Sequence, residues 1–366
     1  MSSKRTTPFK IDGIDSLGQG VSKITDRITF IAKTAIGDEG EAEIMSEKKG
    51  VVFARLKTLA RASSSRIVPE CPHFSICPSC HYLHMSYADE IKIKQESFAK
   101  LFRKLPLQKI EVIEAPKRLG YRNRIQLHYS LKSKLIGMRD PLNFIIHPIP
   151  NCMIALPEVQ NEIIRLTQNN QWLKEAPSAP MEGHVEIYWH QNRLLVNWNK
   201  PYSEGGFSQV YEEMNLKLKK ILQEELEKQN ISGLLDLFGG NGNLSEGLSY
   251  KNRLCVDIYQ NLKGEDFLNL NLYEDHALGK ILKEIKKREL FVSHLILDPP
   301  RSGLRDLHYW LDQIKPKYVA YVSCDPHTMV RDLEKIQGYS IQKSLLFDFF
   351  PSTFHFESLI FLERKD

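Results

Sequence analysis

From residue 206 onward the chain alternates short apolar runs with helical stretches, and the end of that alternation restricts the fold most. Tyr339–Phe349 and Phe354–Glu363 are both strand-like, and about four residues join them. A parallel crossover needs about a dozen residues or more, so these two strands must pair antiparallel. The earlier runs, Gly233–Phe238, Arg253–Asp257, Phe291–Asp298 and Lys317–Ser323, are each followed by a loop or a helical stretch. That is the pattern of a parallel sheet with crossover helices. A parallel sheet closed by an antiparallel hairpin is an α/β fold distinct from the nicotinamide Rossmann arrangement.

The preceding residues have a different texture. Residues 9–67 carry short β-like runs (Ile24–Ile31, Glu41–Ile44, Val51–Leu59) separated by glycines, the pattern of a small OB-type barrel. Ala62-Ser63-Ser64-Ser65 reads as a linker. Residues 69–205 contain a helix over Tyr87–Lys104 and β-rich runs such as Tyr121–Leu131 and His184–Trp198, a mixed α/β region. Three domains result: 1–68, 69–205 and 206–366. Lys and Arg outnumber Asp and Glu by 12 to 8 and 17 to 13 in the first two, and are outnumbered by 21 to 24 in the third. The basic excess therefore lies where a polyanion would be held, although charge alone does not exceed an ordinary solvated surface. No run of apolar residues is long enough to span a membrane and no secretory leader is present, so a cytoplasmic, monomeric protein without membrane contact is expected.

The C-terminal sheet concentrates chemistry at one edge. Asp236-Leu237-Phe238-Gly239-Gly240-Asn241-Gly242-Asn243 closes a strand and opens a glycine-rich turn that allows close ligand approach. The third glycine of the dinucleotide fingerprint is replaced by Ser245, so a pyrophosphate is poorly supported. Asp257 ends the next strand, where a carboxylate can accept from both ribose hydroxyls of a nucleoside. Asp298 opens Asp298-Pro299-Pro300-Arg301-Ser302-Gly303, and Cys324 follows another strand. The hairpin returns Glu357 to the same edge. An aromatic after the two prolines would suit methylation of an exocyclic amine; Arg301 stands there instead. Cys324 offers covalent catalysis: a thiolate added at carbon 6 of uracil makes carbon 5 nucleophilic, and a base must then remove the carbon-5 proton. Glu357 is placed for that task.

Taken in order, Gly206-Phe207-Ser208-Gln209-Val210, DLFGGNGN, LDPPRSG, SCDPHTMVRDL and FPSTFHFES resemble the RNA uracil-5-methyltransferase family over nearly the whole chain. The resemblance implies a class I S-adenosylmethionine-dependent methyltransferase domain at 206–366. It implies that Gln209, Phe238, Asn243, Asp257 and Asp298 contact S-adenosylmethionine or the target base, and that Asn271 contacts the adenine. Cys324 is then the nucleophile and Glu357 the general base. The family's cytosine-5 relatives place a cysteine where Asp298 stands, which favours uracil. Three departures stand out: Gly239 replaces a cysteine, Asp325 replaces an asparagine, and the stretch from Asp257 to Asn271 is short, with no clear helix.

Six cysteines are too few for a disulfide scaffold of this length. Cys71, Cys77 and Cys80 form a tight triplet, Cys152 can complete a set of four thiolates, and spacing alone allows either zinc or an iron–sulfur cluster. Cys71 to Cys80 resembles the iron–sulfur segment of ribosomal-RNA uracil-5-methyltransferases, which implies a 4Fe-4S cluster. Residues 9–67 likewise resemble the RNA-binding TRAM domain, and Tyr121-Arg122-Asn123-Arg124 a further family signature whose arginines can meet phosphates or simply line a strand. Cys255 is expected in the core. The implied substrate is RNA, with 23S rRNA favoured over tRNA by the cluster and barrel. A non-catalytic RNA-binding or remodelling protein and a zinc-stabilised module are the rivals.

Overall fold

The computed structural model describes residues 5–141, 143–201, 209–258, 264 and 266–365. The sequence boundary at 205/206, and Gly206 to Ser208 of the first motif, lie outside the described residues. The chain forms two compact units: Met1–Ser97, Pro116–Tyr202 and Phe350–His355 make the first, and Phe98–Ala115, Ser203–Phe349 and Phe356–Asp366 the second.

In the first unit, β1 (Thr6–Ile14), β2 (Gln19–Ser22), β3 (Ile28–Ala32), β4 (Glu39–Lys48) and β5 (Val51–Arg61) close a barrel in the order β1-β2-β3-β5-β4. Period-2 patterning turns Phe9, Ile11, Ile31, Ala42, Val52 and Ala54 into its core. The stretch expected to be a linker is tied down. Asp38 Oδ1 accepts from the Ser63 amide at 2.8 Å, and the Asp38 carboxylate pairs with the Arg66 guanidinium. Helix α1 (Tyr87–Leu101) starts in the first unit and ends in the second, where β6 (Ile110–Ile113) also lies.

A second, antiparallel sheet follows in the first unit. It comprises β7 (Arg124–Ser130), β8 (Leu135–Arg139) and β9 (Ile146–Pro148), then helices α2 (Pro157–Thr167) and α3 (Trp172–Glu175), then β10 (Glu182–His190) and β11 (Arg193–Trp198). The strand order is β11-β10-β7-β8-β9. Arg124 opens β7 but is 1% exposed, and its guanidinium lies 3.7 Å from the Tyr188 ring centre. It is thus a packed core arginine rather than a phosphate contact.

The second unit contains α4 (Glu212–Leu226), β12 (Leu234–Leu237), β13 (Arg253–Asp257), β14 (Phe267–Asn269), α5 (Ala277–Lys287), β15 (His294–Leu297), α6 (Leu307–Ile314), β16 (Tyr318–Ser323), α7 (Pro326–Leu333), β17 (Tyr339–Phe347) and β18 (Glu357–Arg364). The sheet order is β14-β13-β12-β15-β16-β18-β17-β6. Strands β14 to β16 are parallel, and β18 enters antiparallel between β16 and β17. The hairpin inferred from the sequence is therefore present, although its connection runs from residue 348 to 356 rather than over four residues. The parallel strands are buried on both faces, which is why they read as unbroken apolar runs. Among the described residues no helix is long and apolar enough to cross a membrane.

Candidate active site

Strand register assembles the site. Ser323 pairs with Ser358 across the antiparallel β16–β18 ladder, so Cys324 follows one member of that pair and Glu357 precedes the other, and Glu357 is near enough to raise the Cys324 thiol. Parallel pairing of Leu237 with both Val256 and Leu297 brings Phe238, Asp257 and Asp298 out of the same carboxyl edge. Asp236 lies one residue inside it, fully buried.

Local chemistry shapes each position. Phe238 has φ +58°, a left-handed conformation that a side chain other than glycine rarely adopts, so the chain bends sharply where the strand ends. The Gly240 amide donates to Asp257 Oδ2 at 2.8 Å, so this carboxylate already accepts one bond from the glycine loop. A Cβ at Gly239 would come within 2.5 Å of Cys255 Sγ and 2.7 Å of Asp236 Cγ. The space a cysteine side chain would need at Gly239 is thus filled from β13 by Cys255, which is buried in the core as expected. Asn243 exchanges amide hydrogen bonds with Asn215 of α4 at 3.0 and 3.1 Å, and Gln209 is buried just before that helix. Asn271 Oδ1 accepts from the Tyr273 amide at 3.1 Å and so shapes its own turn.

Crowded carboxyl groups dominate the electrostatics. Burial, then Asp236 and Asp257, push Asp298 up to about 7. Burial pushes Asp236 up to about 6 against the hydrogen bond from Ser245. Glu357 is driven well above the usual carboxyl range by burial and then by Asp298, with Arg301 opposing. The Cys324 thiol rises to about 12 through burial, Glu357 and Asp298, again opposed by Arg301. Among the described residues, Arg301 favours the ionised form of both Cys324 and Glu357.

A network that joins two of the quoted motifs, SCDPHTMVRDL and LDPPRSG, holds the Asp298–Gly303 loop. Asp332 of α7, fully buried, accepts from the Leu304 amide and the Tyr321 hydroxyl at 2.7 Å each. The Arg331 guanidinium donates to Asp332 Oδ1 and to the Ser302 carbonyl. The Tyr273 hydroxyl meets the Ser302 hydroxyl at 2.7 Å and donates to the Gly303 carbonyl at 3.0 Å. Gly303, at φ +65°, leaves the room that Asp332 occupies.

The chain is similar to known proteins. A family model described as tRNA (Uracil-5-)-methyltransferase matches residues 261–365. A protein of Marinomonas sp. (strain MWYL1), the 23S rRNA (uracil(1939)-C(5))-methyltransferase RlmD, is 24% identical over 98% of this chain and 94% of its own length. The protein of that name from Erwinia tasmaniensis is 26% identical over 100% and 98%. Over nearly its whole length the chain is thus similar to RNA uracil-5-methyltransferases. Its fold agrees: the Pyrococcus abyssi tRNA (uracil-54, C5)-methyltransferase, solved with S-adenosyl-L-homocysteine, superposes with a TM-score of 0.68 at 18% identity, covering 97% of this chain and 100% of that one. The parallel sheet with its antiparallel hairpin, the N-terminal barrel and the mixed α/β region match the fold expected from the resemblance.

The cysteine set lies in the first unit. None of the six cysteines is in a disulfide; Cys77, Cys80 and Cys152 are buried and Cys71 is half-buried. The thiols are close enough to shift one another: Cys80 is driven well above the usual thiol range by burial, then by Cys77, Cys152 and Cys71. Cys152 rises to about 11 from burial and Cys77. Among the described residues, no three His, Cys, Asp or Glu are gathered tightly enough to hold a single metal ion. The donor chemistry nevertheless fits a thiolate-held group, because a cation missed in the sequence faces the loop. Lys33, just after β3, donates from Nζ to the carbonyls of Phe74 and Cys77, the latter at 2.7 Å. Burial lowers its pKa while Cys77, Cys80 and Cys71 raise it.

Proposed function

We propose that this protein transfers a methyl group from S-adenosylmethionine to carbon 5 of a uridine in structured RNA, with 23S rRNA as the substrate. The β16–β18 ladder, which ends with Ser323 opposite Ser358 next to Cys324 and Glu357, is the observation that supports the reading. Relatives bearing the 23S rRNA name are 24% and 26% identical over nearly both lengths, against 18% for the tRNA enzyme, which favours 23S rRNA.

In this reading Cys324, as thiolate, adds to uracil carbon 6; carbon 5 takes the methyl group from the sulfonium, releasing S-adenosylhomocysteine. Glu357 then accepts the carbon-5 proton and the thiolate is expelled. Gln209, Phe238, Asn243, Asp257 and Asp298 hold the methyl donor or the base, and Asn271 contacts the adenine. Charge times the steps. The sulfonium adds a positive charge to a site rich in carboxyls, helping Arg301 keep Cys324 and Glu357 ionised. That charge disappears with the methyl group, so Glu357 becomes more basic when a proton must be taken.

Cys71, Cys77, Cys80 and Cys152 would hold a 4Fe-4S cluster, with Lys33 as counter-charge. The cluster would supply a fold-stabilising or RNA-contacting anchor, since methyl transfer from a sulfonium needs no electron. Residues 1–68, in the manner of a TRAM domain, and 69–205 grip RNA while the base is flipped into 206–366. The protein acts as a cytoplasmic monomer without membrane contact.

Mass-spectrometric mapping of 5-methyluridine on 23S rRNA and tRNA transcripts tests this. Methylation of 23S rRNA alone is expected; methylation of tRNA alone would transfer the assignment, and none on either would favour a non-catalytic binding protein. Cys324→Ala should lose about 10⁴-fold or more in turnover while still binding both substrates. Glu357→Gln should trap a protein–RNA adduct on denaturing gels, and free RNA only would count against its role.

A further inference from the structure

We propose that Asp332 is a positioning residue for the nucleophile: it locks the loop that carries Arg301 to the strand and helix that flank Cys324, so that cation and thiol belong to one rigid piece. The inference rests on the reading of Cys324 as nucleophile and lies wholly within the second unit.

Helix α7 engages both segments. At its start, Ser323 Oγ accepts from the Asp325 amide at 3.1 Å, and Asp325 Oδ1 accepts from the amides of His327 and Thr328, which holds the turn containing Cys324. Near its other end, Asp332 Oδ2 accepts from the Tyr321 hydroxyl and from the Leu304 amide at 2.7 Å each. Tyr321 lies on β16 three residues before Cys324, and Leu304 lies three residues after Arg301. One carboxylate oxygen thus ties the strand of the nucleophile to the loop of the cation. The other, Oδ1, accepts from Arg331, whose guanidinium also donates to the Ser302 carbonyl at 2.7 Å.

Asp332 is fully buried, so its loss would leave the Leu304 amide and the Tyr321 hydroxyl unpaired in the core. The loop is stiff enough to pass the hold on to Arg301. Pro299 and Pro300 fix two φ angles, the Gly303 amide closes a turn on the Pro300 carbonyl at 2.8 Å, and a Cβ at Gly303 would overlap Asp332 and Arg331. Arg301 sits inside that turn and is exposed, so its place follows from the backbone that carries it rather than from packing. The place matters because Cys324 faces Glu357 of β18, Asp298 at the end of β15 and Asp325 at the start of α7, with Arg301 opposing them. If Arg301 drifts, the carboxyl groups are left to resist ionisation of the thiol.

Two rates test this across a pH series: methylation by the full chain, and iodoacetamide labelling of Cys324 read by peptide mass spectrometry with S-adenosylmethionine present. The variants are Asp332→Asn, Tyr321→Phe, Arg301→Met and the double variant of Asp332→Asn with Arg301→Met. A thiol that is harder to ionise reacts more slowly below its pKa and at full rate above it. Asp332→Asn should therefore slow both reactions ~10-fold on the rising limb and Tyr321→Phe ~3-fold, with variant and wild-type curves converging towards alkaline pH. In the Arg301→Met background Asp332→Asn should add less than ~2-fold, because it acts through that side chain. Tyr321→Phe removes one hydroxyl only and decides the matter if Asp332→Asn does not fold. An equal loss at every pH, or losses that multiply in the double variant, would overturn the proposal, since Asp332 would then support the fold alone. Failure of the nucleophile reading is separable: the labelling curve would shift while the methylation profile stays put, and Cys324→Ala would turn over.

Discussion

The acid-lined sheet edge and the cysteine loop both gather groups whose charges repel, but they are held in opposite ways. At the edge, Asp236, Asp257 and Asp298 are fixed by the hydrogen-bonded register of β12, β13 and β15, whatever is bound there. The cost appears as raised carboxyl pKa values, about 6 for Asp236 and about 7 for Asp298. In the cysteine loop, Cys71, Cys77 and Cys80 belong to no strand or helix, and turns such as Cys77 N to His73 O at 2.8 Å shape the chain. A sheet can carry a mismatched charge for the sake of function; a loop depends on what its side chains hold. Removing one group should therefore have opposite signs in the two places.

The larger effect belongs to the loop. With the proposed cluster bound, Cys80→Ser is expected to cost about 3 kcal/mol of stability, because binding energy at a thiolate-held site is folding energy. Iron content should fall with it. Differential scanning calorimetry with iron analysis checks both, and an iron-free wild type with an unmoved melting temperature would break the comparison.

At the edge, the same kind of deletion should stabilise. The folded-state pKa of Asp298, about 7, exceeds that of an unfolded aspartate, so the unfolded chain ionises first as pH rises. The wild type therefore loses stability progressively as pH rises through about 7, and retains it below the unfolded value near 4. Asp298→Asn avoids the penalty and should be more stable than wild type by ~2 kcal/mol at pH 8, the gap closing towards pH 4, with methylation lost. Denaturant melts at the two pH values decide it; a gap that widens on acidification would refute the account.

The same contrast explains what could be read from the sequence. Strands β12, β13, β15 and β16 were legible because burial on both faces makes them continuous apolar runs, and the motifs at their ends carried Cys324, Asp257 and Asp298 with them. Strand β14 is only three residues long and gives no period, and β1 is interrupted by Pro8 and Gly13. The hairpin connection is longer than expected because Phe354-His355-Phe356 alternates like a strand while residues 350–352 spend their hydrogen bonds on His81, Tyr82, Glu90, Lys94 and Tyr121. Tyr273, Lys33 and Glu90 act through partners far away in sequence, and single residues show no spacing; Asp332 lies in a quoted motif, but its bonds to Leu304 and Tyr321 do not show there. Asp257 was visible as a strand-end acid; its bond to the Gly240 amide was not.

The smallest expected effect concerns the residue after the nucleophile. Asp325 caps α7, its Oδ1 accepting from the amides of His327 and Thr328 at 3.0 and 3.3 Å, while Ser323 Oγ accepts the Asp325 amide at 3.1 Å. Cys324 is thereby held in a turn that needs an oxygen acceptor at position 325, not a charge. Asparagine caps as well as aspartate, so Asp325→Asn should change stability by less than ~0.5 kcal/mol, whereas Asp325→Ala should cost ~1 kcal/mol. Asp325 is also among the groups that raise the Cys324 pKa. Its neutralisation should move the rising limb of the rate–pH profile to lower pH, because the thiolate then forms more easily. The turn and the charge separate cleanly in one pair of variants: equal melting temperatures with a shifted profile for Asn, and a lowered melting temperature for Ala. A profile that stays put in Asp325→Asn would mean that ligand and Arg301, not this neighbour, set the ionisation of the nucleophile.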